Sequence, residues 1–373
     1  MAKLRTNEAK WNERSQRWRI DVQVDGVRRT FVSDAAFSKP NNRKGKLQAE
    51  RKADQWLQER LNDENQKVGA LFDKWIDALK ARTQTAYWRQ YESYGRNWIK
   101  PNIGNKRMAA LNETDLDNII SAAYKKGLAK KSLCNIRSCL TAFLKYARKS
   151  RATTLVADDI ILPRNAPTGK KHCLSPHEVA VVFRSGETTF NRHVCEDFHI
   201  NLYRFLLFEG LRPGEALGLR WSDLGDGWYE IRRALNSLGE ITSGKNENAQ
   251  RRHALSEYSQ KLLNAQKGML KEFGIVSPYV FPDRSGQPAK LSTCYKAWGR
   301  YCNHNSLSKV TLYELRHTNY SMNKDMPTAY KKLLFGHSAN FDGDAVYDHI
   351  LTGQLEAAAR MNESVFLEAI NNA

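Results

Sequence analysis

Two arginines sit in segments that read as helix starts: Arg212 in Leu211-Arg212-Pro213-Gly214-Glu215, and Arg316 in Tyr313-Glu314-Leu315-Arg316-His317. A planar guanidinium matches phosphate oxygens with two parallel N–H groups, so two of them converging on one spot define a phosphate site. Downstream, Phe335-Gly336-His337-Ser338 and Val346-Tyr347-Asp348 add an imidazole and a phenol. Beside such a pair, Tyr347 is a candidate nucleophile on phosphorus. A phenol titrates near about 10, so its attack needs positive surroundings and a proton acceptor. Arg212 enters its helix through a Pro-Gly turn, which sets backbone N–H groups and the positive helix end beside the guanidinium. Glu215, one turn on, can hold the arginine's other face. The chemistry these residue types suit is displacement at a phosphodiester.

The charge says which phosphodiester. The formal net charge is +19 over 373 residues. Lys and Arg exceed Asp and Glu by 13 between residues 67 and 171, by 5 before that stretch and by 1 after it. Nucleic acid is the natural counterpart of so basic a middle segment. A mean hydropathy of −0.64 and the lack of a long apolar run argue against a membrane span. The polar start, Met1 to Trp11, does not read as a signal peptide. The six cysteines form no CxxC pair and read as thiols of a reducing compartment, the cytoplasm. His193, Cys195 and His199 lack a fourth ligand, so no metal site is expected.

The elements that must position this chemistry read as a multidomain chain, mainly α with small sheets. Trp18–Val24 alternates apolar and polar residues, Asp25-Gly26 is a turn, and Val27–Val32 returns as a second strand. A polar loop, 39–46, leads to a helix over 47–61. We expect a three-stranded sheet with a helix across it in residues 1–62, presenting Arg19, Arg28 and Arg29 to a DNA groove. Residues 63–67 read as a linker. A helical bundle follows over 67–155, with Tyr87, Tyr91, Tyr94 and Trp98 on a stripe ended by Pro101 and Gly104. Its last helix, 131–149, turns Leu133, Ile136, Leu140, Phe143, Leu144 and Ala147 inward. Lys131, Arg137, Lys145, Arg148 and Lys149 are left to contact DNA phosphates, which position rather than specify. A flexible linker, 158–171, ends in Lys170-Lys171, two further phosphate contacts. Ser175-Pro176-His177-Glu178 is a capping box. Residues 240–242 and 252–255 suggest a hairpin that holds Lys245 near its tip.

Taken together, Gly210-Leu211-Arg212-Pro213-Gly214-Glu215, Leu315-Arg316-His317-Thr318, Leu334-Phe335-Gly336-His337-Ser338 and Val346-Tyr347-Asp348-His349 resemble the boxes of the tyrosine recombinase, or phage integrase, family. Lys245 before Arg251-Arg252-His253-Ala254-Leu255 is similar to that family's hairpin lysine. The match is firm over about 172–350 and one of pattern in the bundle, which would be a SAM-like core-binding domain. The resemblance implies a mixed α+β catalytic domain over 172–350 and an arm-type DNA-binding domain at 1–62. It also implies a tail helix over 351–373 that docks in cis or in trans. Tyr347 would form a 3′-phosphotyrosine, Arg212 and Arg316 would stabilise the transition state, and Lys245 would protonate the leaving 5′-oxygen. His337 would bind a non-bridging oxygen or assist with the phenolic proton. Glu215 and His317 would be positioning groups. The family's second box usually begins with histidine where this chain has Tyr313, so Tyr313 takes that place. Neither metal nor ATP is implied for the strand chemistry. Partners would be double-stranded DNA at core and arm sites and a homotetramer on that DNA. A host DNA-bending protein and an excisionase would be further partners, and no membrane is involved. The expected function is integration and excision of a phage or conjugative element. The rival readings are a non-catalytic DNA-binding regulator and a Xer-like or topoisomerase IB-like enzyme.

Overall fold

The chain divides into two units, Met1–Gly169 and Lys170–Ala373, in a computed structural model that describes residues 5–24, 27–37, 39–64, 67–157, 160–242, 250–336 and 353–372. Unit 1 opens with an antiparallel sheet of β1 (Lys10–Asn12), β2 (Arg17–Val24) and β3 (Val27–Val32), in that order. The Asp25-Gly26 turn lies outside the described residues. Ile20 and Val22 face α1 (Arg43–Glu64) and bury against Ala49, Ala53 and Leu57. That helix starts four residues earlier than the sequence pattern suggests, because the side chain of Asn42 accepts from the Lys44 amide and turns the chain into helix sooner.

The strand period splits the three arginines expected to read a groove. Arg19 and Arg28 flank Asp21 on one face, at 3.2 and 2.9 Å. Arg29, next along the strand, falls on the opposite, helix-covered face. Its guanidinium lies over the Phe31 and Trp56 rings at 5.5 and 5.9 Å. The shared reading surface therefore contains two of them. The Thr30 hydroxyl and these two arginines hold the Asp21 carboxyl down at about 2.

A second core in unit 1 is helical. It gathers α2 (Val68–Lys80), α3 (Thr85–Tyr94), α4 (Lys100–Ile103), α5 (Glu113–Lys125) and α6 (Lys130–Lys149). A π-turn at Gly95–Ile99 joins α3 to α4. A Cβ on Gly95 would stand 2.2 Å from the Phe72 ring, so the backbone passes where no side chain fits. The helical path runs through Pro101, which sits in the first turn of α4, and stops only at Gly104. The expected inward face of α6 is buried throughout. The stretch after α6 is not a free linker as far as Pro167. Ala157, Ile160 and Ala166 bury against the bundle, and the Lys130 amide donates to the Pro167 carbonyl at 2.7 Å. Arg137 and Arg148 donate to the carbonyls of Ile160 and Leu155, at 3.4 and 2.8 Å, and so brace this stretch.

Unit 2 begins with α7 (Pro176–Arg184), opened by the Ser175–Glu178 capping box. The hairpin of β4 (Glu187–Phe190) and β5 (His193–Glu196) turns at Asn191 and Arg192, both at positive φ. The sequence reading missed this hairpin. His193 and Cys195 are exposed on it, and the described residues hold no cluster of three metal-ligand side chains. Next come α8 (Ile200–Glu209), buried on every side, and α9 (Pro213–Gly218). Five short strands follow: β6 (Leu224–Gly225), β7 (Trp228–Ile231), β8 (Ala234–Leu235), β9 (Ile241–Thr242) and β10 (Arg251–Ala254).

The expected hairpin between 240–242 and 252–255 is replaced by two separate pairings. β9 pairs with β8 around the Asn236–Gly239 turn, whereas β10 pairs with β7 in a sheet ordered β10-β7-β6. The core-facing Tyr229 and Ile231 of β7 draw β10 to that side. The unit finishes with α10 (Glu257–Glu272), α11 (Leu291–His304), α12 (Glu314–Met322), α13 (Thr328–Phe335) and α14 (Gln354–Asn372). No described helix is long and apolar enough to cross a membrane.

The tail helix α14 packs on its own chain, against α7, α8, α13 and β10, with Ala358 and Phe366 fully buried. Asn362 is the polar lock. It donates to the Phe208 carbonyl at 2.8 Å and accepts from the amides of Asn319 and Asn323 at 3.1 and 2.8 Å. Asn362→Leu removes three buried hydrogen bonds at similar volume. Because Phe208, Asn319 and Asn323 each keep another partner, it should lower unfolding free energy by about 0.5–1.5 kcal/mol for each bond lost, seen as a lower urea midpoint at unchanged slope.

Candidate active site

The site is assembled where α8 ends. Gly210 takes a left-handed φ of 63°, and a Cβ there would stand 2.8 Å from the Phe335 ring. The chain turns there and delivers Arg212 to the entrance of α9. Gly214 lets the first turn of α9 pass the β8 backbone, since a Cβ would come within 2.3 Å of the Leu235 carbonyl oxygen. The open helix end foreseen beside Arg212 is already capped, because Glu215 reaches back to accept the Arg212 amide at 3.0 Å.

Glu215 is the hub, buried to 3% exposure. It accepts Arg212 Nη1 at 2.7 Å. Arg251 engages both of its oxygens, at 3.1 and 3.0 Å. Burial pushes the carboxyl up, but the Arg251 fork and Arg212 more than offset this and hold it at about 2. Burial likewise acts against the charge on Arg212. Glu215 and the Tyr313 phenol, which meets the same guanidinium, outweigh burial and raise it. Among the described residues Arg316 makes no direct ion pair with a carboxylate. Burial, then the charge of Arg212, lower it to about 10.

Arg316 is held instead by two carbonyls, with Nη1 donating to Gly210 at 2.9 Å and Nη2 donating to Phe335. Both carbonyls lie at helix C-termini, where a cation is favoured. This corrects the role expected of His317. Its ring makes no hydrogen bond to Arg316 among the described residues and meets Tyr313 edge-on at 5.5 Å. Among the described residues the centre therefore gathers three guanidiniums round one carboxylate, and so positive a place suits an anion. Arg212, at 34% side-chain exposure, presents surface to it, while Arg316 and Arg251 are almost wholly covered.

The structure brings Arg212, Glu215, Arg316 and Tyr313 together. Lys245, His337 and Tyr347 lie outside the described residues. Gly336, the residue before His337, is described. It caps α13 with φ 55°, and a Cβ there would meet Arg251 at 2.8 Å. Lys131, Lys145, Lys149, Lys170 and Lys171 are exposed. Sequence reasoning passed over Arg251 and His253. The signal was alternation, since Arg251 and His253 share the inward face of β10 while Arg252 turns out over the Trp228 ring at 4.1 Å. His253 is buried and held well below its usual pKa by burial and by Arg251, so it stays neutral. It accepts Arg251 Nε at 2.9 Å and stacks on Tyr229 at 4.8 Å.

Residues 193–349 match the phage integrase family, and residues 67–123 match the phage integrase N-terminal SAM-like domain. A tyrosine recombinase XerC-like protein of Caldanaerobacter subterraneus subsp. tengcongensis is 22% identical, with 87% of this chain and 91% of that protein covered. Among solved structures, the Tn1549 transposon integrase in complex with transposon right end DNA matches with a TM-score of 0.63. That match is 19% identical and covers 79% of this chain and 99% of the other. A lambda integrase tetramer bound to a Holliday junction matches with a TM-score of 0.59 at 15% identity, covering 94% and 99%.

An ammonium cannot serve two carbonyls and a phosphate as a fork can. Arg316→Lys should therefore cost about 1–3 kcal/mol of stability, measured by urea unfolding. Arg212→Lys, more exposed, should cost under about 1 kcal/mol.

Proposed function

The chain belongs to the phage integrase family and is a tyrosine recombinase, and from that premise we propose which of its groups carry the strand chemistry. Tyr347 attacks the scissile phosphorus. A phosphotyrosyl bond forms at the 3′ side, the bond to the 5′-oxygen breaks, and Lys245 gives that oxygen its proton. His337 accepts the phenolic proton or holds a non-bridging oxygen. Arg212 and Arg316 stabilise the extra negative charge of the five-coordinate transition state. Tyr313, beside Arg212, offers a hydroxyl donor where the family usually has histidine. The link conserves the energy of the phosphodiester, so a new 5′-hydroxyl reverses the step without ATP.

The observation that supports this best is the crowding of Arg212, Arg251 and Arg316 round the single carboxylate Glu215. Among the described residues Glu215 is the carboxylate they share, and a phosphodiester suits so positive a centre. We assign residues 1–62 to arm sites, 67–155 with the catalytic lobe 172–350 to core sites, and 351–373 to the tail. The relatives, some of them solved on DNA or as a tetramer on a Holliday junction, favour a tetramer of this chain acting on duplex DNA in the cytoplasm. The product is integration or excision of a phage or conjugative element.

A nicked suicide duplex built from the element's end sequences should trap a covalent adduct. Tyr347→Phe should form none, and Arg212→Ala should slow it by roughly 10²–10³. Tight binding without any adduct from the wild type would make the chain a regulator instead. A second outcome concerns α6. Lys131, Lys145 and Lys149 share one exposed stripe, the outer two five helical turns apart. Replacing all three by alanine should weaken duplex binding and flatten the slope of log affinity against log salt by up to about 3.

A further inference from the structure

We propose that Arg251 is a positioning residue for strand cleavage, a brace that holds the Arg212–Glu215 pair, the start of β10 and the Gly336 turn in one frame. The inference rests on the recombinase reading and adds to it a residue outside the phosphate-binding pair. Each nitrogen of the Arg251 guanidinium is committed. Nε donates to His253 Nε2 at 2.9 Å. Nη1 and Nη2 donate to the two oxygens of Glu215 at 3.1 and 3.0 Å. With its side chain 9% exposed, Arg251 is turned towards the protein rather than towards a duplex.

Its place in the chain gives this geometry a consequence. Arg251 opens β10, opposite Ile231. On its other side the guanidinium packs against Gly336, directly before His337. Glu215, clamped by the Arg251 fork, in turn aims Arg212. One side chain thus meets three segments that approach the site from different parts of unit 2. Beneath it His253 stacks on Tyr229, whose hydroxyl donates to the buried Glu209 at 2.8 Å, so the brace stands on a packed polar column. Misplacement of a reacting group by about 1 Å can cost roughly a hundredfold in rate.

The experiment measures adduct formation on the nicked suicide duplex and, in parallel, duplex affinity and thermal unfolding. Arg251→Gln should slow adduct formation by about 10–100-fold while duplex affinity changes by less than about threefold. Arg251→Lys keeps the buried charge but loses the fork, so it should fold normally and recover part of the rate. Because Arg251 acts through Glu215, the double variant Glu215→Gln/Arg251→Gln should be no slower than the slower single variant. A duplex with a methylphosphonate at the scissile position, which carries no charge for Arg212 to stabilise, should narrow the gap between Arg251→Gln and wild type. A wild-type adduct rate in both Arg251 variants would overturn the brace and leave the recombinase reading intact. Multiplying defects in the double variant would overturn the route through Glu215. No adduct from the wild type would bring down the recombinase reading and the brace with it.

Discussion

The guanidinium of Arg316 joins the C-termini of two helices, and the rest of unit 2 is arranged round that junction. Gly210 ends α8 and Phe335 ends α13, and their carbonyls both accept from this one side chain. Each end carries partial negative charge, which makes a buried cation tolerable although its guanidinium makes no direct ion pair among the described residues. A neutral side chain would leave the carbonyls unpaired, and an ammonium lacks the flat fork that spans them. The two left-handed glycines, Gly210 and Gly336, follow from the same constraint, since each turns the chain away immediately after a helix whose end Arg316 holds. Fold and chemistry coincide in this arginine.

The electrostatics of the two arginines diverge. Arg316 is lowered, chiefly by burial and then by Arg212, whereas Glu215 and the Tyr313 phenol raise Arg212 against burial. Glu215 neutralises part of the excess but is shared between Arg212 and Arg251. An anion entering the centre relieves the remainder. Such preorganised charge needs no reorganisation when negative charge grows on phosphorus, which is why electrostatic stabilisation is commonly the largest contribution to catalysis. Tyr313 fits this pattern as a hydroxyl donor beside Arg212, supported from behind by the His317 ring.

What was legible from sequence is what local chemistry determines. The Ser175–Glu178 capping box and the inward face of α6 appear as read, because caps and helical stripes depend on neighbours a few residues away. The convergence of Arg212 and Arg316 followed from residue types suited to phosphate. The pairing of β10 with β7 did not follow, because strands of two to four residues carry too little pattern and the partner is chosen by the core that Tyr229 and Ile231 enter. Arg251 was hidden for another reason. In a chain with 59 lysines and arginines, one more reads as surface unless the inward phase of its strand is known. The linker read over 158–171 rested on Pro163, Pro167 and Gly169, and the bonds from Arg137 and Arg148 that brace Ile160 and Leu155 leave no local pattern in the sequence.

The anchoring of α14 bears on the proposed nucleophile. Phe335 is tied to Arg316, and Asn362 is tied to the Phe208 carbonyl, one residue from the start of the Glu209-Gly210 turn. The chain between these anchors contains both His337 and Tyr347, and both of its ends are fixed at the same helix terminus, that of α8. Arg316 and Asn362 thus tie the two described ends that flank residues 337–352 to one helix terminus. The anchor is structural and lies in the docking of α14 on α8, with Asn362 as its polar lock.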